Sequence, residues 1–156
     1  MARPFSVPVK IAVRGEEWTE GGVRFFVLHP EKDNHEDNNG SLVLFARLGG
    51  LAWLFTGDME KEAEQALIHA YPTLRVDVLK VAHHGSKTST TEPFLRTVKP
   101  RAAIISVGRY NRYGHPSPEV LMRLGQQRAI IWRTDENGAI RYVYDENGGT
   151  FQVMKP

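Results

Sequence analysis

Two short apolar runs in the middle of the chain each end in residues that can coordinate a metal or transfer a proton. The first run, Leu51–Phe55, is followed by Thr-Gly and then Asp58. The second run, Val76–Ala82, is followed directly by His83 and His84. Apolar runs of this length predict buried strands, and ligands in open α/β sheets gather beyond the carboxyl ends of strands. We therefore expect the carboxylate and the two imidazoles to meet at one edge of a sheet.

Imidazole and carboxylate groups together suit zinc, manganese or iron(II), so this cluster predicts a metal site. If the strand continued through His83 and His84, their side chains would point to opposite sides, and only one could continue the core face. Gly85 and Ser86 follow and would provide close backbone access and a hydroxyl. A capping role for Asp58 at the start of the next helix is an alternative, and a capping residue can also be a ligand.

A third polar cluster follows the apolar run Ala102–Val107. Its arginines, Arg109 and Arg112, could contact phosphate oxygens, and its two tyrosines could stack on bases. His115 is available as a ligand or a general acid. The alternative is a surface loop whose tyrosines pack over the sheet edge.

The remaining pattern alternates strands with helices, which predicts a mixed-sheet α/β or α+β domain. Gly15–Gly22 is predicted to be a turn, and Met59 is predicted to begin a helix that Pro72 ends. The predicted strands are Val9–Val13, Val23–Leu28, Ser41–Leu48, Leu51–Phe55, Val76–Ala82 and Ala102–Val107, followed by an antiparallel meander over Ala129–Arg133, Ala139–Tyr144 and Thr150–Val153. Two further helices are predicted, one capped by Thr90 or Thr91 and ending at Val98, the other capped by Ser117 and running from Pro118 to about Gln127.

Composition excludes several classes of protein. The chain has 156 residues, a formal net charge of +2 and no cysteine, so we expect one domain and no thiolate metal site. No apolar run approaches the roughly 18–20 residues that span a bilayer, so we expect the chain as given to be soluble, with no direct membrane insertion. There is no nucleophile elbow and no glycine-rich phosphate loop. The polar stretch at 31–40 lacks the spacing of a calcium-binding EF-hand, which favours a solvated loop.

Four motifs, NNGSLVL, LFTGD, LKVAHHGSKTST and IISVGRYNRYGHPSPEVL, occur in this order. Together they closely resemble the C-terminal half of the metallo-β-lactamase-like domain of ComEC-type competence proteins, the channel proteins of bacterial DNA uptake. The resemblance runs over 23–156, and 1–22 matches poorly, so we expect a single partial domain. It implies an αββα fold, of which this chain holds the C-terminal half. It also implies a metal-dependent nuclease that degrades the strand not imported, within a parent protein in the bacterial cell membrane.

The resemblance also implies roles for individual residues. Asp58 and His83 would hold a divalent metal, zinc or manganese, with either His83 or His84 as the late histidine ligand. His84 and His115 would complete the metal shell or protonate the leaving oxygen. Substrate contacts are expected from six residues with polar side chains, namely Asn38, Asn39, Ser86, Arg109, Asn111 and Arg112.

One expected motif is missing from the sequence. The superfamily's principal metal motif, H-x-H-x-D-H or H-x-D-D-H, does not occur, and the earlier histidines His29 and His35 do not fit its spacing. We therefore expect a piece of a nuclease domain that is inactive alone and whose metal site can be empty. Its expected partners are single-stranded DNA, bound through phosphates, the missing N-terminal half of the domain and the membrane channel of the parent protein. The alternatives are a non-catalytic module that binds DNA or a partner, and a hydrolase of another phosphodiester, such as a choline phosphoester.

Overall fold

The computed structural model describes residues 10–32 and 37–154, and its centre is a seven-stranded mixed sheet. The strands lie side by side in chain order. The first four strands are antiparallel neighbours, whereas each later strand runs parallel to the one before it. The strands are β1 (Glu17–Glu20), β2 (Val23–His29), β3 (Val43–Leu48), β4 (Leu51–Phe55), β5 (Val78–Lys80), β6 (Ala102–Ile105) and β7 (Ile130–Arg133).

Helices connect the parallel strands and cover one face of the sheet. They are α1 (Lys61–Ala70), α2 (Glu92–Val98) and α3 (Pro118–Gln126), with a short α4 (Thr134–Asn137) after β7. Successive strand residues point to opposite faces, so one residue in two reaches the core beneath the helices. The fully buried residues there include Leu54, Leu79, Leu67, Phe94 and Leu124. This core holds the carboxyl ends of β4, β5 and β6 in fixed positions.

A hairpin of two strands, β8 (Ala139–Asp145) and β9 (Gly148–Met154), covers part of the opposite face. Trp53 of β4 is 5% exposed and packs between Tyr142 and Phe151 of the hairpin, with ring centroids 5.3 and 5.8 Å away. A small second core around Trp53 therefore attaches the hairpin to the sheet.

The predicted α/β class, a mixed sheet with flanking helices, is confirmed. Strand Leu51–Phe55 has the predicted bounds. The cap of α3 is also confirmed, because Ser117 accepts a hydrogen bond from the backbone N–H of Val120 and Pro118 is the first helical residue. These features depend on local chemistry, namely a continuous apolar run and a capping hydroxyl followed by proline.

Three predictions about elements are wrong. β1 lies within the stretch predicted to be a turn, and the part of the predicted strand Val9–Val13 that the structure describes, 10–13, is not a strand. β7 is not part of an antiparallel meander; it pairs in parallel with β6, with Ile131 opposite Ala103. A strand's own alternation does not reveal the direction of its partner. Helix α3 carries the chain back across the sheet before β7 begins, and that crossover makes the pairing parallel.

Candidate metal and phosphate site

The two histidines lie in a tight turn at the end of β5. The strand ends at Lys80, and His83 and His84 have φ angles of 46° and 54°, in the left-handed region. The strand therefore does not continue through them, and their side chains are not directed by strand alternation. Non-glycine residues adopt this conformation uncommonly, and such residues concentrate at functional sites.

Hydrogen bonds hold this turn against the Thr-Gly-Asp turn that follows β4. Thr56 donates its hydroxyl to the carbonyl of Lys80 at 2.6 Å, and the His83 N–H donates to the carbonyl of Gly57 at 3.1 Å. Gly57 has a φ of +54°, and a Cβ there would lie 2.9 Å from the Cβ of Ser41. The turn therefore requires glycine, and the two motifs meet because β4 and β5 are adjacent parallel strands.

Asp58 faces His84, and not His83. Its Oδ1 lies 3.9 Å from Nε2 of His84. Nδ1 of His84 lies 2.7 Å from the carbonyl of Ser106, so Nδ1 carries the proton and donates it. The Nε2 lone pair is then directed away from that bond, as in histidines that ligate metals. Asp58 is not the N-cap of α1, because Glu60 occupies that position, so the capping alternative is wrong.

His83 pairs with a carboxylate that the sequence analysis did not single out. Its Nδ1 lies 3.1 Å from Oε1 of Glu60. The same oxygen accepts hydrogen bonds from Thr88 Oγ1 at 2.9 Å and Asn38 Nδ2 at 3.3 Å. The hydrogen bond from Thr88 is the largest influence lowering the pKa of Glu60. An acidic residue two positions after Asp58, at the start of a helix, is the sequence signal that could have identified it.

His115 completes a row of three histidines. Its ring centroid is 5.9 Å from that of His83, and it stacks on Tyr113 at 6.0 Å. Burial is the main cause that lowers the pKa of His115, followed by the charges of His83 and His84. This shift favours the neutral imidazole. A cavity of about 190 Å³ lies beside it, lined by His84, Val107, Gly108, Asn111, Tyr113 and His115.

The predicted substrate residues before α1 are engaged in hydrogen bonds within the protein. Asn39 Oδ1 accepts from the backbone N–H groups of Glu60 and Ala63, both at 3.2 Å, and so caps α1 from outside the helix. Asn38 donates to Glu60, as described above. Ser86 is buried, and its hydroxyl lies 3.0 Å from that of Thr88. These contacts show that the three side chains hold the site together; their contact with substrate remains a prediction.

The loop between β6 and α3 contains the other predicted substrate residues. Asn111 accepts from the His115 N–H at 3.0 Å and donates to the His115 carbonyl at 2.8 Å, so it braces the loop. Arg109 is exposed and donates from Nε to the Asp135 carbonyl at 3.3 Å. Arg112 is exposed and makes no side-chain hydrogen bond within the described ranges. The structure thus leaves the two guanidinium groups accessible near the histidine row.

A sequence model described as "Metallo-beta-lactamase superfamily" matches residues 2–109, which is more than half of the chain. The chain belongs to the metallo-beta-lactamase superfamily. The matched range begins well before Val23, where the resemblance noted in the motifs starts, and it includes both the Asp58 and the His83–His84 turns. Membership in this superfamily suggests that a divalent metal is used.

The curated relatives that resemble this chain are longer proteins. "ComE operon protein 3" of Bacillus subtilis (strain 168) is 45% identical over 99% of this chain and 20% of its own length. "Competence protein ComA" of Neisseria gonorrhoeae is 38% identical over 90% of this chain and 20% of its length. "Recombination protein 2" of Haemophilus influenzae is 39% identical over 81% of this chain and 16% of its length. The chain spans about a fifth of the length of these relatives.

Residues 10–32 and 37–154 contain neither a complete set of metal ligands nor a membrane-spanning helix. In those ranges no three His, Asp or Glu side chains converge as a metal site would require. The Asp58 carboxylate and the Nε2 atom of His84 have the right chemistry, but they supply two donors, whereas zinc takes four. In the same ranges no helix has both the length and the apolarity needed to cross a bilayer.

Proposed function

We propose that this chain forms part of a metal-dependent nuclease, a phosphodiester hydrolase, in a protein that serves DNA uptake during natural transformation. Two relatives that align over 90% or more of the chain carry "ComE operon" or "Competence" in their names, which supports the role in DNA uptake. Membership in the metallo-beta-lactamase superfamily supports hydrolysis with a divalent metal. The parent protein would lie in the bacterial cell membrane, with its membrane channel as a partner of this domain.

The observation that carries the proposal is the pairing of Asp58 with His84. The two side chains come from the turns that follow two adjacent parallel strands, β4 and β5, and approach to 3.9 Å, each about half exposed. The proton on Nδ1 of His84 is committed to the Ser106 carbonyl, so its Nε2 is available. We assign these two residues as the protein's ligands to one metal ion, in place of the pair Asp58 and His83 expected from the sequence.

His83 and His115 take supporting roles in this proposal. Glu60 orients His83, as carboxylates orient histidines around metal sites. Burial lowers the pKa of His115 and so favours its neutral form, which is suited to hold a metal or accept a proton and less suited to protonate a leaving oxygen. Because two donors do not make a complete site, we assign no catalytic step to a metal held by this chain alone. Further ligands would come from outside the described residues, as the expected N-terminal half of the domain would provide.

The substrate proposed for this site is single-stranded DNA. Arg109 and Arg112 lie on the loop that carries His115, and both guanidinium groups are exposed. Arginine forms paired hydrogen bonds to phosphate oxygens. Tyr110 is 93% exposed and Tyr113 is 79% exposed, so both offer ring faces on which unpaired bases can stack. Together these side chains offer both phosphate and base contacts next to the histidine row.

Calorimetric titration with zinc and with manganese tests the proposal. We expect the purified chain to bind metal and Asp58→Ala to abolish that binding. The matched control is Asp145→Ala, which removes an aspartate from the hairpin, at the end of β8 just before the turn to β9. Unchanged metal affinity in Asp58→Ala, alongside unchanged affinity in the control, would contradict the assignment.

A second candidate function is a non-catalytic module that binds DNA or a partner protein. The observation that favours it is the count of two metal donors, because no third His, Asp or Glu side chain in the described part of the chain is placed to complete a metal site with them. In that case the folded chain would bind single-stranded DNA without binding zinc or manganese. The same titration, followed by a DNA-binding measurement on the same sample, separates the two candidates.

A further inference from the structure

Lys80 is the last residue of β5 and lies on the sheet face opposite the helices. Its neighbours in the sheet are Phe55 at the end of β4 and Ile104 near the end of β6. Leu79, the residue before it, is buried in the core beneath the helices. Because successive strand residues face opposite sides, the Lys80 side chain projects from the other face, between two apolar neighbours.

The ammonium group of Lys80 has an incomplete set of partners. It is partly buried, and Nζ donates one hydrogen bond, at 3.0 Å, to the carbonyl of Val81. Within 10–32 and 37–154 no carboxylate lies within 4.0 Å of it. An ammonium group has three protons to donate, and removing a cation from water is costly without an anion. Among the described residues, the other two donors of Lys80 have no protein acceptor and can serve a ligand.

The backbone places this lysine next to the proposed metal pair. The carbonyl of Lys80 accepts the 2.6 Å hydrogen bond from Thr56, two residues before Asp58. The Nζ atom of Lys80 donates to the carbonyl of Val81, three residues before His84. Burial lowers the pKa of Lys80, and the negative charge of Asp58 opposes that shift. Lys80 and the Asp58–His84 pair therefore lie at the same edge of the sheet, where β4 and β5 end.

We propose that Lys80 is an anion-binding residue of this site and that it donates to a non-bridging phosphate oxygen of a bound nucleic-acid strand. The inference rests on the proposed function, and it adds a contact that differs from those of the loop arginines. Arg109 and Arg112 are exposed on a surface loop, where water and salt weaken their attraction to phosphate. Lys80 projects from a core strand between Phe55 and Ile104, where the lower local dielectric strengthens its attraction to an anion.

The test compares two variants that each exchange a cation for methionine. Lys80→Met keeps an unbranched side chain of similar length and removes the charge. The control, Arg101→Met, removes a cation from the opposite end of the sheet, where Arg101 lies 3.8 Å from Asp77. The probe is a short fluorescein-labelled oligothymidylate, and its affinity for the full chain is measured by anisotropy over a series of salt concentrations.

We expect Lys80→Met to weaken binding about tenfold at low salt, because a hydrogen bond to a charged group is lost. The slope of log affinity against log salt should decrease in magnitude by about 0.7, the value for one phosphate on a single strand. Arg101→Met should match the wild type in its affinity at low salt and in its salt slope. A wild-type slope in Lys80→Met would overturn the inference.

A second measurement on the wild-type chain covers the case in which Lys80→Met does not fold. The 13Cε resonance of Lys80 should shift when the oligothymidylate saturates the protein, and an unchanged resonance in the bound protein overturns the inference. If the wild-type chain does not bind the oligothymidylate at all, the proposed DNA substrate fails, and the inference fails with it. Binding by the wild type without a Lys80 effect rejects the lysine contact alone.

Discussion

His84 faces Asp58 across two adjacent turns, with Nε2 of the imidazole 3.9 Å from Oδ1 of the carboxylate. The neighbouring His83 instead places Nδ1 3.1 Å from Glu60. Both histidines have left-handed backbone angles, so consecutive side chains reach different carboxylates on the same side of the sheet edge. This geometry gives different carboxylate neighbours to two histidines that are adjacent in the sequence.

The first prediction distinguishes the two histidines. His84→Ala should lower zinc affinity by about 100-fold or more, because a ligand to the metal is lost. His83→Ala should lower it by about tenfold, the smaller effect typical of a residue in the outer shell of a metal site. Calorimetry measures both, with His69→Ala, an exposed histidine on α1, as the control. A larger loss in His83→Ala than in His84→Ala would restore the assignment expected from the sequence.

The second prediction concerns the loop between β6 and α3. Arg112→Ala should reduce the slope of log DNA affinity against log salt by about 0.7, because one phosphate contact to a single strand is removed. Arg141→Ala, an exposed arginine on β8, is the matched control and should leave the slope unchanged. Equal slopes for wild type and Arg112→Ala would show that this guanidinium does not contact phosphate.

The third prediction concerns a buried carboxylate that holds the start of α2. Glu64 of α1 is fully buried and accepts hydrogen bonds from the backbone N–H of Thr90, and from the N–H and hydroxyl of Thr91 at 2.9 and 2.5 Å. Glu64→Gln replaces an acceptor with a donor, so the free energy of unfolding should fall by about 2 kcal/mol. Urea unfolding measures the loss. Glu62→Gln, on the exposed face of the same helix, should change stability by less than about 0.5 kcal/mol.

The fourth prediction gives the pH dependence that Glu64 causes. Burial raises the pKa of Glu64 above its ordinary value of 4.5, although hydrogen bonds from Thr91 and Thr90 oppose the shift. The folded state therefore holds this proton more tightly than the unfolded state. The stabilising contribution is complete below pH 4.5 and is lost as the pH rises through the folded-state pKa. Unfolding curves above pH 4.5 should show this loss in the wild type, and Glu64→Gln should lack it; identical pH profiles would contradict the prediction.

The fifth prediction compares two glycines. Gly85 has a φ of +84°, and a Cβ there would lie 2.6 Å from the Cβ of Pro116. Gly85→Ala should destabilise the fold by about 2 kcal/mol or more, because it adds left-handed strain and a clash. Gly125 in α3 has open space around it, so Gly125→Ala should stabilise the protein by about 0.5–1 kcal/mol. Thermal unfolding of both variants checks the opposite signs, and a neutral Gly85→Ala would show that the two loops can separate without cost.

The sequence by itself determined the features that depend on neighbouring residues. The run Leu51–Phe55 predicted β4, and Ser117 with Pro118 predicted the start of α3, because an apolar run and a capping hydroxyl act locally. The same local patterns predicted that Asp58 and the two histidines would follow neighbouring strands. The four motifs were sufficient to indicate the superfamily that the chain belongs to.

Only the tertiary structure decided which groups meet and in which direction the chain returns. The pairing of Asp58 with His84, and of His83 with Glu60, depends on the left-handed backbone angles of the two histidines. No local sequence pattern predicts these angles. The parallel direction of β7 depends on the path of α3 across the sheet. Residue type and spacing determine which side chains could do chemistry, whereas distances between them depend on backbone turns and strand pairings formed by residues far apart in the chain.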